Sequence, residues 1–168
     1  MSLSRLTIPL ACLAALPLAA RGQQLPNPYG AEISVEVARR VVEATLAEAK
    51  KNGWTVAAAV VDTHGDLVYF VRMENTQHGS ALVAHEKARA SARFKRPTKA
   101  FEDAVKGQAV NVLGLPGAVP LEGGVPIVID GKIVGAVGVS GATSAQDGQC
   151  AKAGLDALAA APSSTQSK

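Results

Sequence analysis

Apolar positions along this chain change period several times, and each change marks an element. Val35, Ala38, Val41, Val42, Leu46 and Ala49 recur at helical spacing. Ser34 ahead of them, Glu36 in the first turn, Lys50 and Lys51 in the last and Gly53 beyond predict a helix running to about Asn52. The period then becomes that of a strand over Trp54–Val61. A polar turn, Asp62-Thr63-His64-Gly65-Asp66, leads to a hairpin partner over Leu67–Arg72. Both strands are almost continuously apolar, so the sheet should be covered on both faces, by helix on one side and by a subunit on the other.

Asn75–Gly79 reads as a loop, and Ser80 is placed to cap a second helix that extends to about Lys95. After Arg96-Pro97, Thr98 heads a short helix over Lys99–Val105, and 107–120 wanders through Gly114, Pro116 and Gly117. Val125, Ile127 and Ile129 then alternate with Pro126, Val128 and Asp130. Asp130-Gly131 supplies a tight turn, and Lys132–Ser140 returns. One side of that return strand is Val134, Ala136, Gly138 and Ser140, nearly bare of side chain, where a helix or a flat ligand can approach the backbone. Ser144 or Asp147 opens a last helix in which Ala151, Gly154 and Ala157 permit close packing.

Two tight hairpins predict antiparallel pairing. The order predicts an α/β domain of the α+β kind: an antiparallel sheet of about five strands flanked by helices, layered like profilin or a PAS domain. Residues 34–160 form this single domain, 23–33 an extended arm and 161–168 a disordered tail.

The same ordered pieces resemble the GlcG/HbpS haem-binding family, also found as the C-terminal domain of some corrinoid adenosyltransferases. They are Val61-Asp62 with Gly65, Arg72-Met73-Glu74, Ala84-His85-Glu86-Lys87-Ala88-Arg89-Ala90, Phe94, Arg96-Pro97-Thr98, and Gly123-Gly124-Val125-Pro126 through Val139-Ser140-Gly141. The resemblance covers nearly all of the chain after residue 22. It implies a sheet flanked by helices, assembly into oligomers and haem or a related tetrapyrrole as ligand, and it implies no settled catalytic residue.

The first 22 residues carry Arg5, an apolar run from Leu6 to Ala20 and the small-residue exit Ala20-Arg21-Gly22, as a secretory signal peptide does. Pro9 and Pro17 interrupt the run, which is too short for a spanning helix. Cys12 follows almost no apolar stretch, which argues against lipidation. A periplasmic or secreted mature protein is expected, without a membrane anchor after processing. Export changes the charge argument. Of 17 Lys and Arg, Arg5 and Arg21 leave with the leader, so 15 remain against 14 Asp and Glu. With a nearly neutral total and few aromatic residues, no nucleic-acid partner is expected. Lys87, Arg89, Arg93, Lys95, Arg96, Lys99 and Lys106 read as a solvated or subunit-contacting face. Only Cys150 stays in the mature chain, which excludes an internal disulfide and points to a buried thiol.

Candidate chemistry concentrates on the helix after Ser80. Ala81, Ala84, Ala88, Ser91 and Ala92 form a face that presses on the sheet, which half-buries His85 at one margin and Lys87 at the other. His85 is the first candidate iron ligand, and Lys87, Arg89 or Arg93 could meet propionates. His78, at the mouth of the helix, is the second candidate. The alternative is a marginal histidine packed on its neighbours and a solvated one in the loop. Arg72 and Glu74 face the Glu122-Gly123-Gly124 loop in this reading, where free N–H groups of Gly123 and Gly124 would receive a carboxylate, or they form a salt bridge there. His64 belongs to a turn. Neither a zinc spacing nor a covalent haem attachment signal is present. Gly138-Val139-Ser140-Gly141-Ala142 is one residue off a nucleophile elbow and has no His and Asp partner.

These readings converge on noncovalent, reversible haem binding by a homo-oligomer for capture, storage or sensing. An enzyme or accessory protein acting on a small organic acid, and a purely structural oligomer, are the alternatives.

Overall fold

The computed structural model describes residues 26–160. The leader at 1–22, with Cys12, and the tail at 161–168 lie outside the described residues, as do the first residues of the arm.

The element order is α1 (Val35–Lys51), β1 (Ala57–Val61), β2 (Leu67–Arg72), α2 (Gly79–Phe94), α3 (Lys99–Lys106), a short 3-10 helix at Val110–Gly114, β3 (Gly124–Ile129), β4 (Lys132–Ser140) and α4 (Ser144–Ala160). Ser34 caps α1 through its side chain, which accepts from the Val37 N–H. Asp130 and Gly131 both take positive φ, at 50° and 72°, as a two-residue hairpin of twisted strands requires. The 3-10 helix falls inside the segment expected to be loop.

The sheet has four strands in the order β2-β1-β4-β3, and all neighbours are antiparallel. That is one strand fewer than the five expected. The place of a fifth is taken by the arm: β4 outruns β1, and beyond Ala136 its backbone bonds Pro28 and Gly30 through Ile133 and Ile33 through Val134. Tyr29 and Ile133 form only an isolated parallel bridge there. Pro26 and Pro28 lack the N–H that a continuous strand would donate.

Every residue of β1 is buried. Both faces of the sheet are covered by this chain's own helices, α1 and α4 on one side and α2 on the other, in place of the expected helix and subunit. The larger core lies under α1 and α4, where Val41, Val42 and Ala49 meet Ala58, Val60, Val137, Val139, Cys150 and Ala151. Gly154 of α4 lets the helices close up against Val41 and Thr45, whereas Ala157 is exposed.

Under α2 the core is thin: Ala84, Ala88 and Ala92 over Ala57, Ala59, Val61 and Ala136. Gly138 makes this closeness possible. A Cβ there would strike the Ala84 carbonyl and the Ala88 N–H, so the bare side of β4 is packed by helix backbone. β2 is the open edge on this side. Its interior residues are half-buried and Leu67 and Arg72 are exposed. No helix among the described residues is long and apolar enough to cross a membrane.

Candidate functional site on the two flanks of helix α2

With Ala84 and Ala88 seated on Gly138, helical periodicity sends Lys87 toward β3 and β4, and sends Arg89 toward β2. The contacts agree. Lys87 lies by Gly123 and Gly124, while the Arg89 side chain lies by Gly65 of the β1–β2 turn. His85 precedes Arg89 by one turn and shares its flank. The seven residues expected to bind ligand therefore divide into two groups.

Lys87 is not half-buried; it is 2% exposed. Its Nζ donates to the Val139 carbonyl at 2.9 Å and to Asp147 Oδ2 at 2.8 Å. The other oxygen of Asp147 accepts from the Ala142 N–H at 3.1 Å. Burial pushes the Asp147 carboxyl above the usual carboxylate range, against the lowering pull of the Lys87 ammonium and of the Ala142 and Gly141 N–H groups. Lys87 thus ties α2 to β4 and to the first turn of α4, and its charge is engaged within the protein. Burying an ion pair is worthwhile only when further bonds support it, as the Val139 carbonyl and the Ala142 N–H do here.

Gly123 and Gly124 belong to this flank as packing. A Cβ on Gly123 would meet Lys87 Nζ, and one on Gly124 would meet the Lys87 carbonyl. The expected free N–H groups are largely taken. Gly124 N–H donates to Thr98 Oγ1 at 2.9 Å and Glu122 N–H donates to Glu102 Oε2; the Gly123 carbonyl, not its N–H, is engaged, accepting from Val139 N–H. Thr98 spends its hydroxyl on Gly124 and gives α3 no side-chain cap. Ser80 likewise lies inside α2, where its oxygen accepts from Ser140, and leaves His78 at the cap position.

The β2 flank is different. His85 Nε2 and Arg89 Nε are both buried and have no hydrogen-bond partner among the described residues, and Thr76 Oγ1, just before α2, shares that condition. Arg89 engages Glu86 only through NH1, at 2.9 Å. Phe70 of β2 packs under Ala84 at the floor of this flank. At its mouth Arg72 does not face the Gly123-Gly124 loop; its guanidinium donates to His78 Nδ1 at 2.5 Å. With Nδ1 accepting, the neutral His78 ring carries its proton on Nε2, so His78 gains a lone pair for a ligand only when the Arg72 bond is released. His78 and His85 are two helical turns apart, about 10 Å along the axis, so each is a ligand candidate on its own account.

Asp147 escaped sequence reading as the partner of Lys87, although Lys87 sits among Ala84, Ala88, Ala90 and Ser91, company that signals burial. Thr76 left no signal in the sequence. Cys150 is buried as expected, and burial, reinforced by Asp147 and Glu48, pushes its thiol up to about 11. His64 is exposed in the β1–β2 turn.

Comparison with known proteins agrees with this architecture. Protein GlcG of Escherichia coli K12 is 43% identical over 108 residues, which are 64% of this chain and 81% of that protein. The crystal structure of a double mutant of HbpS from Streptomyces reticuli superposes with a TM-score of 0.71 at 32% identity, covering 86% of this chain and 98% of that one. A crystal structure of PduOC in complex with haem has the same fold, with a TM-score of 0.68 at 24% identity over 75% of this chain and 94% of that one. The family model described as haem degrading protein HbpS-like matches residues 33–156, and the chain belongs to that family.

Proposed function

We propose that this chain is an exported haem-binding protein that takes the tetrapyrrole noncovalently and reversibly on the β2 flank of α2, for capture, storage or sensing. The observation that carries the reading is the pair of buried, unpartnered nitrogens, His85 Nε2 and Arg89 Nε, one helical turn apart. A buried polar atom without a partner costs stability, and a ligand that supplies the partner recovers it. Iron accepts an imidazole nitrogen and a propionate accepts from a guanidinium, so one haem offers both complements. Membership of the HbpS-like family supports the ligand class.

His85 is the first ligand and His78, once released from Arg72, the second; Arg89 and Arg72 are the cations available to propionates. Lys87, Gly123 and Gly124 serve the site indirectly, by fixing α2 on the sheet. Export rests on the leader, and assembly into a homo-oligomer on the exposed apolar residues outside the core, among them Leu82, Val110, Leu113 and Leu115.

Titration of the mature, tag-free protein with haemin tests the reading, with the Soret band and the oligomeric state followed together. A saturable Soret shift that is lost in His85→Ala with unfolding unchanged is the expected result. Absence of any shift would favour the organic-acid or structural alternatives, since neither gives a Soret band. Decay of the bound band with time in reductant and oxygen would mark haem breakdown after binding. Intact mass from the native cell tests export, and retention of residues 1–22 would overturn it.

A further inference from the structure

At the β1–β2 turn, three groups from two stretches of chain converge: Glu32 of the arm, and Asp62 and His64 of the turn that follows β1. One ligand atom from each lies within 4.8 Å of the others. We propose that these residues form a binding site for a first-row divalent transition-metal ion, zinc in the simplest case, which clamps the arm to the turn.

The site mixes two carboxylates with an imidazole, the donor set that borderline ions accept and that hard magnesium or calcium ions use poorly at the imidazole. The Asp62 carboxylate is held so that one oxygen stays available, the backbones of the turn and the arm are anchored, and His64 Nδ1 lies 3.5 Å from the Thr63 hydroxyl. Asp62 Oδ1 accepts the N–H groups of His64, Gly65 and Asp66 at 2.8, 2.9 and 3.0 Å, which fixes the carboxylate and leaves its second oxygen without a hydrogen bond among the described residues. The His64 carbonyl accepts from Arg93 Nε at 2.7 Å, which anchors the turn to α2. Glu32 is set by the arm, whose backbone pairs with β4 on both sides of it through Gly30 and Ile33. The His64 ring nitrogen Nδ1 already stands 3.4 Å from Glu32 Oε1.

Without an ion, that contact joins side chains 75% and 59% exposed and stabilises little. A dication between them would link the arm to the hairpin and leave its remaining positions to water. The arm also reaches α2, because the Tyr29 hydroxyl donates to the Ala92 carbonyl at 2.9 Å. Metal occupancy would therefore stabilise the packing of arm, turn and helix together. The turn also touches Arg89, but none of the three metal-binding residues belongs to the proposed haem site, so the two sites are tested independently.

Calorimetric titration of the mature, tag-free protein with zinc chloride and, separately, magnesium chloride tests this, alongside Glu32→Gln, Asp62→Asn and His64→Gln. Asp62→Asn keeps the oxygen that holds the turn. The expected result is one zinc per chain and a higher unfolding midpoint in zinc, with affinity falling at least about tenfold in each variant. His78→Ala and His85→Ala should bind zinc as the parent does. Absence of zinc binding, unchanged affinity in the three variants, magnesium binding as tight as zinc, or loss of zinc in His85→Ala instead would each overturn the proposal.

Discussion

The two flanks of α2 differ in one respect that decides what each can do. Toward β3 and β4, Lys87 is buried and its ammonium is met by Val139 and Asp147, with two glycines cut to fit around it. Toward β2, His85 and Arg89 bury nitrogens that nothing among the described residues meets. Both flanks belong to one helix over one sheet. The difference lies in what stands opposite: two strands and the start of α4 on one side, a lone edge strand on the other. A buried polar atom whose bonds are met contributes to the fold, whereas one whose bonds are not met has capacity left for a ligand.

The sharpest way to break this contrast is to remove one partner of the ion pair. Lys87→Met leaves Asp147 buried without its cation and should cost about 3–5 kcal/mol. Lys87→Met combined with Asp147→Leu should recover part of that loss in chemical denaturation. An exposed-pair cost, under about 1 kcal/mol, would mean that this flank opens to water.

Gly138→Ala comes next. Its Cβ would meet helix backbone, which cannot rotate aside, so a loss of about 1–3 kcal/mol in thermal unfolding is expected, and Gly138→Val should lose more. An unchanged midpoint in both would show that α2 lifts off the sheet and that the two flanks are not rigidly separated.

On the β2 flank the order of effects reverses. His85→Ala should change stability by less than about 1 kcal/mol, since it removes an unpartnered buried nitrogen along with some packing, yet it should abolish the haemin Soret shift. Loss of the shift in His78→Ala alone would transfer the ligand role to the mouth of the flank. Arg72→Gln should leave the fold intact and weaken haemin binding only severalfold, because its bond to His78 is exposed.

The smallest effect concerns the opposite layer and serves as a control for the flanks. Cys150 keeps its proton in the folded state to about pH 11, against 9.0 for an unburied thiol. Its stabilising contribution is therefore complete below pH 9 and lost as pH rises from 9 to 11, because the unfolded chain releases the proton first. Cys150→Ala should flatten that part of the stability–pH curve. An identical curve in the variant would place the thiol within reach of solvent.

Much of the fold was legible because it is written locally. Helical spacing from Val35 to Ala49, the Asp130-Gly131 turn and the small residues at Ala136, Gly138 and Ser140 each act on their chain neighbours or on one facing element. The two hairpins named in the sequence supply all four strands, and the fifth of the expected count has no counterpart, because Pro26 and Pro28 limit the arm to a bridge. Subunit cover was expected over β1 because its sequence shows burial on both faces without showing by what, and α2 supplies it.

For the site, the sequence determined that the chemistry would gather on α2, because a face of Ala84, Ala88, Ser91 and Ala92 must turn toward the sheet and carry His85 and Lys87 at its margins. Tertiary structure alone decided which margin stays open. Asp147 reaches Lys87 across 60 positions of chain, and Arg72 turns to His78 rather than to Gly123 and Gly124. Periodicity reports which residues point the same way, whereas hydrogen-bond satisfaction depends on the atoms brought opposite them, and those come from strands and helices far away in the chain.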